Sequence, residues 1–185
     1  MLVLGSGSEA RKELLCSVGL IPDKILVPKT DEYKQKKELP LSYVKRMAKE
    51  KSMAIDLESD SYLITADTIV TLGREVLNKT DDRVVAKEHL NRLSGRRHHV
   101  YTSFCVRHRQ FFRNETVKTQ LKMKKLSNKE IDKYISSDEW LGKAGSYSIQ
   151  GTAISFFPFI SGCFSNVIGL PLPKLINVLK AMGFC

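Results

Sequence analysis

The segment Ile64-Thr65-Ala66-Asp67-Thr68-Ile69-Val70 constrains the chain most, because two short apolar runs rich in β-branched residues flank a single carboxylate. Runs of this kind read as buried strand. An acid between them is costly to bury unless a metal ion, a basic partner or a substrate proton compensates it. Asp67 is therefore either a working group or an acid exposed at a strand end, and the other segments have to decide between the two.

With 185 residues the chain fits one domain, 1–185, large enough for a substantial core. No apolar run approaches the ~20 residues that span a bilayer; the longest, Ala153 to Ile160, is broken by Ser155 and Pro158. Met1-Leu2-Val3-Leu4 passes straight into Gly-Ser without a basic leader, so it reads as a first strand and not as a signal peptide. Cys16, Cys105, Cys163 and Cys185 are scattered with no CxxC pair, which suits a reducing cytoplasm. His89, His98, His99 and His108 form no HExxH pattern, so zinc hydrolysis is disfavoured. The net charge of +10 invites an anionic partner. Its lysines, however, lie in Lys34 to Lys37, Lys45 to Lys51 and Lys118 to Lys129 with few aromatics between them, which argues against nucleic acid and assigns most of them to a solvated face.

Taken in order, Leu2 to Leu4 leads through Gly5-Ser6-Gly7-Ser8 into a helix over Glu9 to Val18. A strand, a small-residue loop and a helix N-terminus present free backbone N–H groups to an anion, and Arg11 in the first turn adds a forked donor. Ser8 is the expected N-cap. Lys24 to Val27 reads as strand, and Pro28 to Leu39 as a polar loop holding Asp31-Glu32. A helix follows over Ser42 to about Asp56, with Lys45, Arg46, Lys49 and Lys51 on the surface left by its apolar face, most of them facing water. Tyr62 to Ala66 and Thr68 to Leu72 enclose Asp67, and Gly73-Arg74 turns the chain into Glu75 to Leu77. Lys79 comes directly afterwards, placed to meet a phosphate or the acid. Further helices are expected over Asp82 to Leu93, from the capping box Ser127-Glu130 through Ile135, and over Pro171 to Met182. Strands are expected over Val100 to Val106, Phe111 to Leu126 and Ile149 to Ile160. The alternation of Val117, Thr119, Leu121 and Met123 with Lys118, Gln120, Lys122 and Lys124 implies one wet face, hence a partly antiparallel sheet in an α/β unit.

Together these strings resemble the Maf family of nucleoside triphosphate pyrophosphatases. Leu4-Gly5-Ser6-Gly7-Ser8-x-x-Arg11-Lys12-Glu13-Leu14-Leu15 is similar to LASxSPRRxELL, Asp31-Glu32 to the DE loop, and Arg46-x-Ala48-x-x-Lys51-Ser52 to RLAxxKA. Thr65-Ala66-Asp67-Thr68-Ile69-Val70 is similar to GADTxV, Leu77-Asn78-Lys79-Thr80 to LxKP, and Leu93-Ser94-Gly95-Arg96-x-His98-x-Val100-Tyr101-Thr102 to LSGRxHxVYT. Lys143-Ala144-Gly145-x-Tyr147-x-Ile149-Gln150-Gly151 resembles KAGxYxIQG, and Asn166 to Leu172 resembles NVxGLPL.

The resemblance implies hydrolysis of dTTP or UTP between the α and β phosphates with Mg²⁺ or Mn²⁺. It also implies a single elongated α/β domain with a central mixed sheet flanked by helices, similar to the inosine triphosphate pyrophosphatases, and a homodimer. Arg11, Lys51 and Lys79 are the natural clamp for a polyphosphate, with Ser6, Gly7 and Ser8 as the anion loop. Glu32 and Asp67 suit a hard cation; Asp67 is alternatively the base that takes the proton from water. Thr68 and Gln150 are assigned to selection of the nucleobase or to positioning of the substrate, since an amide matches the O4 and N3–H edge of a uracil or thymine ring. A non-catalytic regulator of septum formation is the alternative, against which every proposed catalytic side chain is retained. Glu9-Ala10 in place of Pro-Arg, Gly5 in place of Ala, Thr65 in place of Gly, and Asn78 and Thr80 around Lys79 depart from the pattern.

Overall fold

The computed structural model describes residues 1–58 and 60–184; Cys185, counted above among the scattered thiols, lies outside the described residues. Among the described residues seven strands form one mixed sheet: β1 (Leu2–Gly5), β2 (Lys24–Ile25), β3 (Tyr62–Leu72), β4 (Glu75–Leu77), β5 (Arg97–His108), β6 (Phe111–Lys122) and β7 (Phe159–Ser161). Their order is β2-β1-β3-β5-β6-β7, with β4 paired to β3. β1 runs parallel to β2 and β3, whereas β4 on β3 and β7 on β6 are antiparallel. The sheet is therefore mixed as the sequence implied. Among the described residues six α-helices accompany it: α1 (Glu9–Cys16), α2 (Pro40–Met53), α3 (Arg83–Leu93), α4 (Asn128–Ile135), α5 (Phe164–Ile168) and α6 (Leu172–Ala181). No helix among the described residues is long and apolar enough to cross a membrane.

The chain divides into two compact units, the first formed by 1–67, 102–117 and 169–185, the second by 68–101 and 118–168. In the first, Leu2, Val3 and Leu4 of β1 and Leu63 and Ile64 of β3 are buried. The parallel ladder pairs Leu2 with Tyr62 and ends at Gly5 with Thr65. β2 is shorter than the expected Lys24 to Val27 because it is an edge: Lys24 and Ile25 are both exposed, and edge strands are kept short. Helix α2 starts earlier than expected, with Pro40 in its first turn after Leu39 and not with Ser42 as a cap. Its buried stripe is Tyr43, Val44, Met47, Ala48, Lys51 and Ser52. Thr65 ties β3 to this helix by donating its hydroxyl to the Ala48 carbonyl at 3.0 Å.

In the second unit, α3 buries Ala86, His89, Leu90 and Leu93, the i, i+3, i+4, i+7 stripe of an amphipathic helix. Its N-cap is Asp82, which accepts from Val84 N–H at 2.7 Å. The capping box at Ser127 and Glu130 opens α4 as expected. Trp140 is fully buried and donates its indole N–H to the Ile135 carbonyl at 2.9 Å. Ile149 to Ile160 is not a strand: a turn at Ser148–Gly151 leads to a 3-10 helix over Thr152–Phe156, and only Phe159–Ser161 joins the sheet. A short apolar run reads alike for strand and buried helix, which accounts for the difference. Helix α5 was not expected; in it Asn166 is buried and donates to Thr119 Oγ1 at 2.9 Å and the Val100 carbonyl at 3.2 Å.

Candidate active site

Strand order β2-β1-β3 places β1 between the two strands that follow it in the chain. In open α/β sheets such a reversal leaves a crevice beyond the carboxyl end of the central strand. β1 stops at Gly5 and gives way to Ser6-Gly7-Ser8, whereas its neighbour β3 runs on through Asp67. Asp67 is thus in the interior of one continuous strand, not at a strand end, and it is only 4% exposed. A buried carboxylate needs a partner. It has one in Lys51, whose ammonium lies 2.6 Å from Asp67 Oδ1.

Lys51 is an exception to the reading that most of the basic residues of α2 face water. It occupies the buried stripe, is 6% exposed, and has a second carboxylate, Glu32 Oε1, at 2.7 Å. Two acids thirty-five positions apart therefore converge on one nitrogen. Glu32 reaches in from the irregular segment between β2 and α2 and stays partly accessible, its side chain 40% exposed.

Arg11 completes the cluster from α1. Its Nη1 donates to Ser6 Oγ at 3.0 Å and its Nε to the Gly169 carbonyl at 3.0 Å. Burial lowers the guanidinium pKa, while the charges of Asp67 and Glu32 pull it back up, so all three groups share one field. Ser6, buried, accepts from Arg11 and from Ser8 N–H at 3.3 Å, which makes it a brace of the loop. Ser8 sits at the N-cap position of α1 but its hydroxyl caps nothing; Gly7 is exposed. Tyr43, one turn into α2, is 5% exposed, and its hydroxyl pKa is pushed up to about 12 by burial first and then by Asp67 and Glu32.

The structure thus brings Arg11, Glu32, Lys51 and Asp67 together, with Ser6 beside them. Thr68, Lys79 and Gln150 belong to the second unit. Thr68 follows Asp67 on β3 and is half-buried; Lys79 is exposed just past β4. Gln150 is exposed on the Ser148–Gly151 turn, which is fixed at both ends. Ser148 N–H donates to Tyr134 Oη at 2.9 Å, and Thr152 donates its N–H and hydroxyl to Glu139 at 2.8 and 3.0 Å. Sequence reasoning assigned no role to Tyr43, to Arg46 or to the Gly169 carbonyl. For the last a signal existed, because Gly169 lies in the string similar to NVxGLPL and holds φ at 137°, a conformation that favours glycine.

Among the described residues no three His, Cys, Asp or Glu side chains gather as a metal cage. Glu32 and Asp67 alone fit a different kind of site. Two hard oxygen donors directed at one point suit a cation that takes one or two carboxylates and completes its shell with water and phosphate oxygens.

Fold and cluster define an α/β protein with paired acids and paired cations at the carboxyl end of its switch-point strand, an arrangement suited to a phosphorylated ligand. The family model for Maf-like protein matches residues 1–182. A protein of Roseobacter denitrificans named dTTP/UTP pyrophosphatase is 45% identical over 184 residues, covering 100% of this chain and 98% of its own. One of the same name from Cereibacter sphaeroides is 44% identical, covering 98% and 95%. The Neorickettsia sennetsu protein named nucleoside triphosphate pyrophosphatase is 44% identical, covering 98% of this chain and 88% of its own. The chain belongs to the Maf family.

Proposed function

We propose that this protein hydrolyses dTTP and UTP at the α–β anhydride, releasing pyrophosphate and the nucleoside monophosphate. The observation that carries the reading is the convergence of Glu32 and Asp67 on Lys51, with Arg11 in the same field, beyond the end of β1. The names of the full-length relatives support the same substrate pair.

Charge balance supports a divalent cation. Arg11 and Lys51 are matched one for one by Glu32 and Asp67, so an arriving triphosphate meets no net positive charge from these four groups. Glu32 and Asp67 would hold Mg²⁺ or Mn²⁺, which when bound supplies charge neutralisation on phosphate oxygens and a more acidic water. Arg11 and Lys51 then bind and orient phosphate oxygens through charge-assisted hydrogen bonds, and Lys79 adds a third cation. The Ser6-Gly7-Ser8 loop and the start of α1 would receive the same anion. Asp67 either stays with the cation or accepts the proton of the attacking water. Thr68 and Gln150 select the pyrimidine, the Gln150 amide offering a donor and an acceptor to the O4 and N3–H edge. The reading includes one working domain over 1–185, a cytoplasmic location and a homodimer.

Pyrophosphate release from dTTP and UTP, measured with Mg²⁺, with Mn²⁺ and after chelation, tests the reading. The wild type is expected to act on both with metal and to stop without it. Asp67→Asn is expected to lose about 10²–10⁴ in kcat. Wild-type rates in Asp67→Asn would remove the centre of the proposal.

A further inference from the structure

We propose that Arg46 is a positioning residue that holds the turn after Glu32 against α2, and through it fixes the Glu32 carboxylate in the charge cluster. The problem it solves is that Glu32 sits in a segment without regular structure, where a side chain is mobile unless its backbone is tied down. Its ion pair with Lys51 leaves the carboxylate 40% exposed, so the orientation of that carboxylate depends also on how its backbone is held.

The backbone around Glu32 is tied on both sides. Tyr33 N–H donates to the Asp31 carbonyl at 3.1 Å, a three-residue turn centred on Glu32. The Tyr33 carbonyl in turn accepts from Arg46 Nη2 at 2.9 Å. Arg46 also grips the far end of the turn, with Nε and Nη2 each 2.8 Å from an oxygen of Glu38. That carboxylate accepts from Gln35 N–H at 3.0 Å, and Glu38 N–H donates to the Gln35 carbonyl at 3.1 Å, so residues 35–38 close on themselves before they dock.

The anchor itself is held on several sides. Arg46 Nη1 bonds Glu50 one turn along α2 at 3.1 and 3.2 Å, and the guanidinium lies 5.6 Å from the centre of the Tyr43 ring. Every nitrogen of the fork is engaged. The Arg46 and Glu38 side chains are 22% and 10% exposed, so this is a part-buried bidentate pair and not a surface contact. Lysine offers no planar fork and cannot reproduce it.

The test uses the full-length protein and has two arms. In hydrogen exchange, Arg46→Met and Glu38→Gln are each expected to speed the amides of 33–38 by about tenfold or more while β1 and β3 keep wild-type protection. Unchanged exchange at 33–38 overturns the proposal, whatever the protein hydrolyses. The second arm rests on the pyrophosphatase reading. Arg46→Met is expected to lower kcat/KM for dTTP by about 10²-fold, Arg46→Lys to recover little, and Arg46→Met added to Glu32→Gln to cost nothing beyond Glu32→Gln alone. Additive losses would mean that Arg46 does not act through Glu32, and overturn the proposal. Absence of dTTP hydrolysis in the wild type strikes the functional reading instead, and the exchange arm still decides the role of Arg46.

Discussion

Gly5 and Thr65 face each other as the last pair of the β1–β3 ladder, and a Cβ on Gly5 would lie 2.5 Å from Thr65 Cγ2 and 2.8 Å from Ile55 Cδ1. These are two of the positions at which the sequence departs from the family strings, which have Ala and Gly there. The departures compensate one another: the side-chain volume has moved across the ladder from one strand to the other. Thr65 cannot rotate out of the way freely, because its hydroxyl is committed to the Ala48 carbonyl. Gly5→Ala is therefore expected to destabilise the fold by about 1–3 kcal/mol, as overpacking does. In urea denaturation, Gly5→Ala combined with Thr65→Gly should cost less than the sum of the two single changes. Strict additivity would show that the two positions do not share this space.

His98 makes acid a specific threat to the second unit. The ring is 1% exposed and bonded through Nε2 to Tyr147 Oη at 2.9 Å, and its pKa is pushed down to about 4, first by burial and then by the charge of His99. Unfolding returns it to about 6.5. Between those values the unfolded chain binds the extra proton, so the stabilisation is complete above pH 6.5 and is lost as pH falls towards 4. The shift corresponds to about 3 kcal/mol. Urea midpoints across pH 4 to 7 should fall less steeply for His98→Gln than for wild type; parallel curves would place the acid sensitivity elsewhere.

How much of this was open to sequence reading depends on what kind of contact placed each residue. Most strands and helices and the mixed sheet follow from periodicity, the segment Ile149 to Ile160 and α5 excepted, and α4 follows from its capping box almost to the residue. The continuity of β3 through Asp67 did not, because a single acid in a β-branched run looks like a break until its partner is known. That partner, Lys51, was visible as a residue and misassigned as to its surroundings: a lysine on a basic helix is ordinarily solvated, and only its spacing from Val44, Met47 and Ala48 puts it on the buried stripe. Arg46 lay beyond inference, since its role is set by a turn whose fold depends on contacts thirteen and eight residues away.

Gly151 makes the turn that carries Gln150 testable. Its φ of −106° suits any residue, so space and not backbone strain reserves the position for glycine. A Cβ there would collide with the Glu139 carboxylate, the group that receives both hydrogen bonds from Thr152. In Gly151→Ala, Glu139 has to swing aside and release Thr152, at a cost of about 1 kcal/mol per bond. If Gln150 reads the pyrimidine, loosening its turn should reduce kcat/KM for UTP by a larger factor than kcat/KM for CTP, lowering their ratio. Glu139→Ala should do the same without any added methyl group. A uniform loss for both nucleotides would detach this turn from base selection.

Lys51 stands between two carboxylates, and that position separates a structural from a metal-binding role for Glu32 and Asp67. In Lys51→Met the ammonium is gone and, of the four clustered groups, the two acids are left with Arg11. Breaking a buried pair in this way costs about 3–5 kcal/mol, because Asp67 is left in the interior with its charge poorly matched. A divalent cation can take over that place if the two oxygens converge as they do around Nζ. Mn²⁺ at a given concentration is therefore expected to raise the melting temperature of Lys51→Met by more than that of wild type, because in wild type the metal has to displace an ammonium already there. The same variant with Asp67→Asn should lose the metal response. Equal Mn²⁺ shifts in wild type, Lys51→Met and the double variant would mean that the cation binds elsewhere, leaving the Glu32, Lys51 and Asp67 cluster as a clamp for phosphate alone.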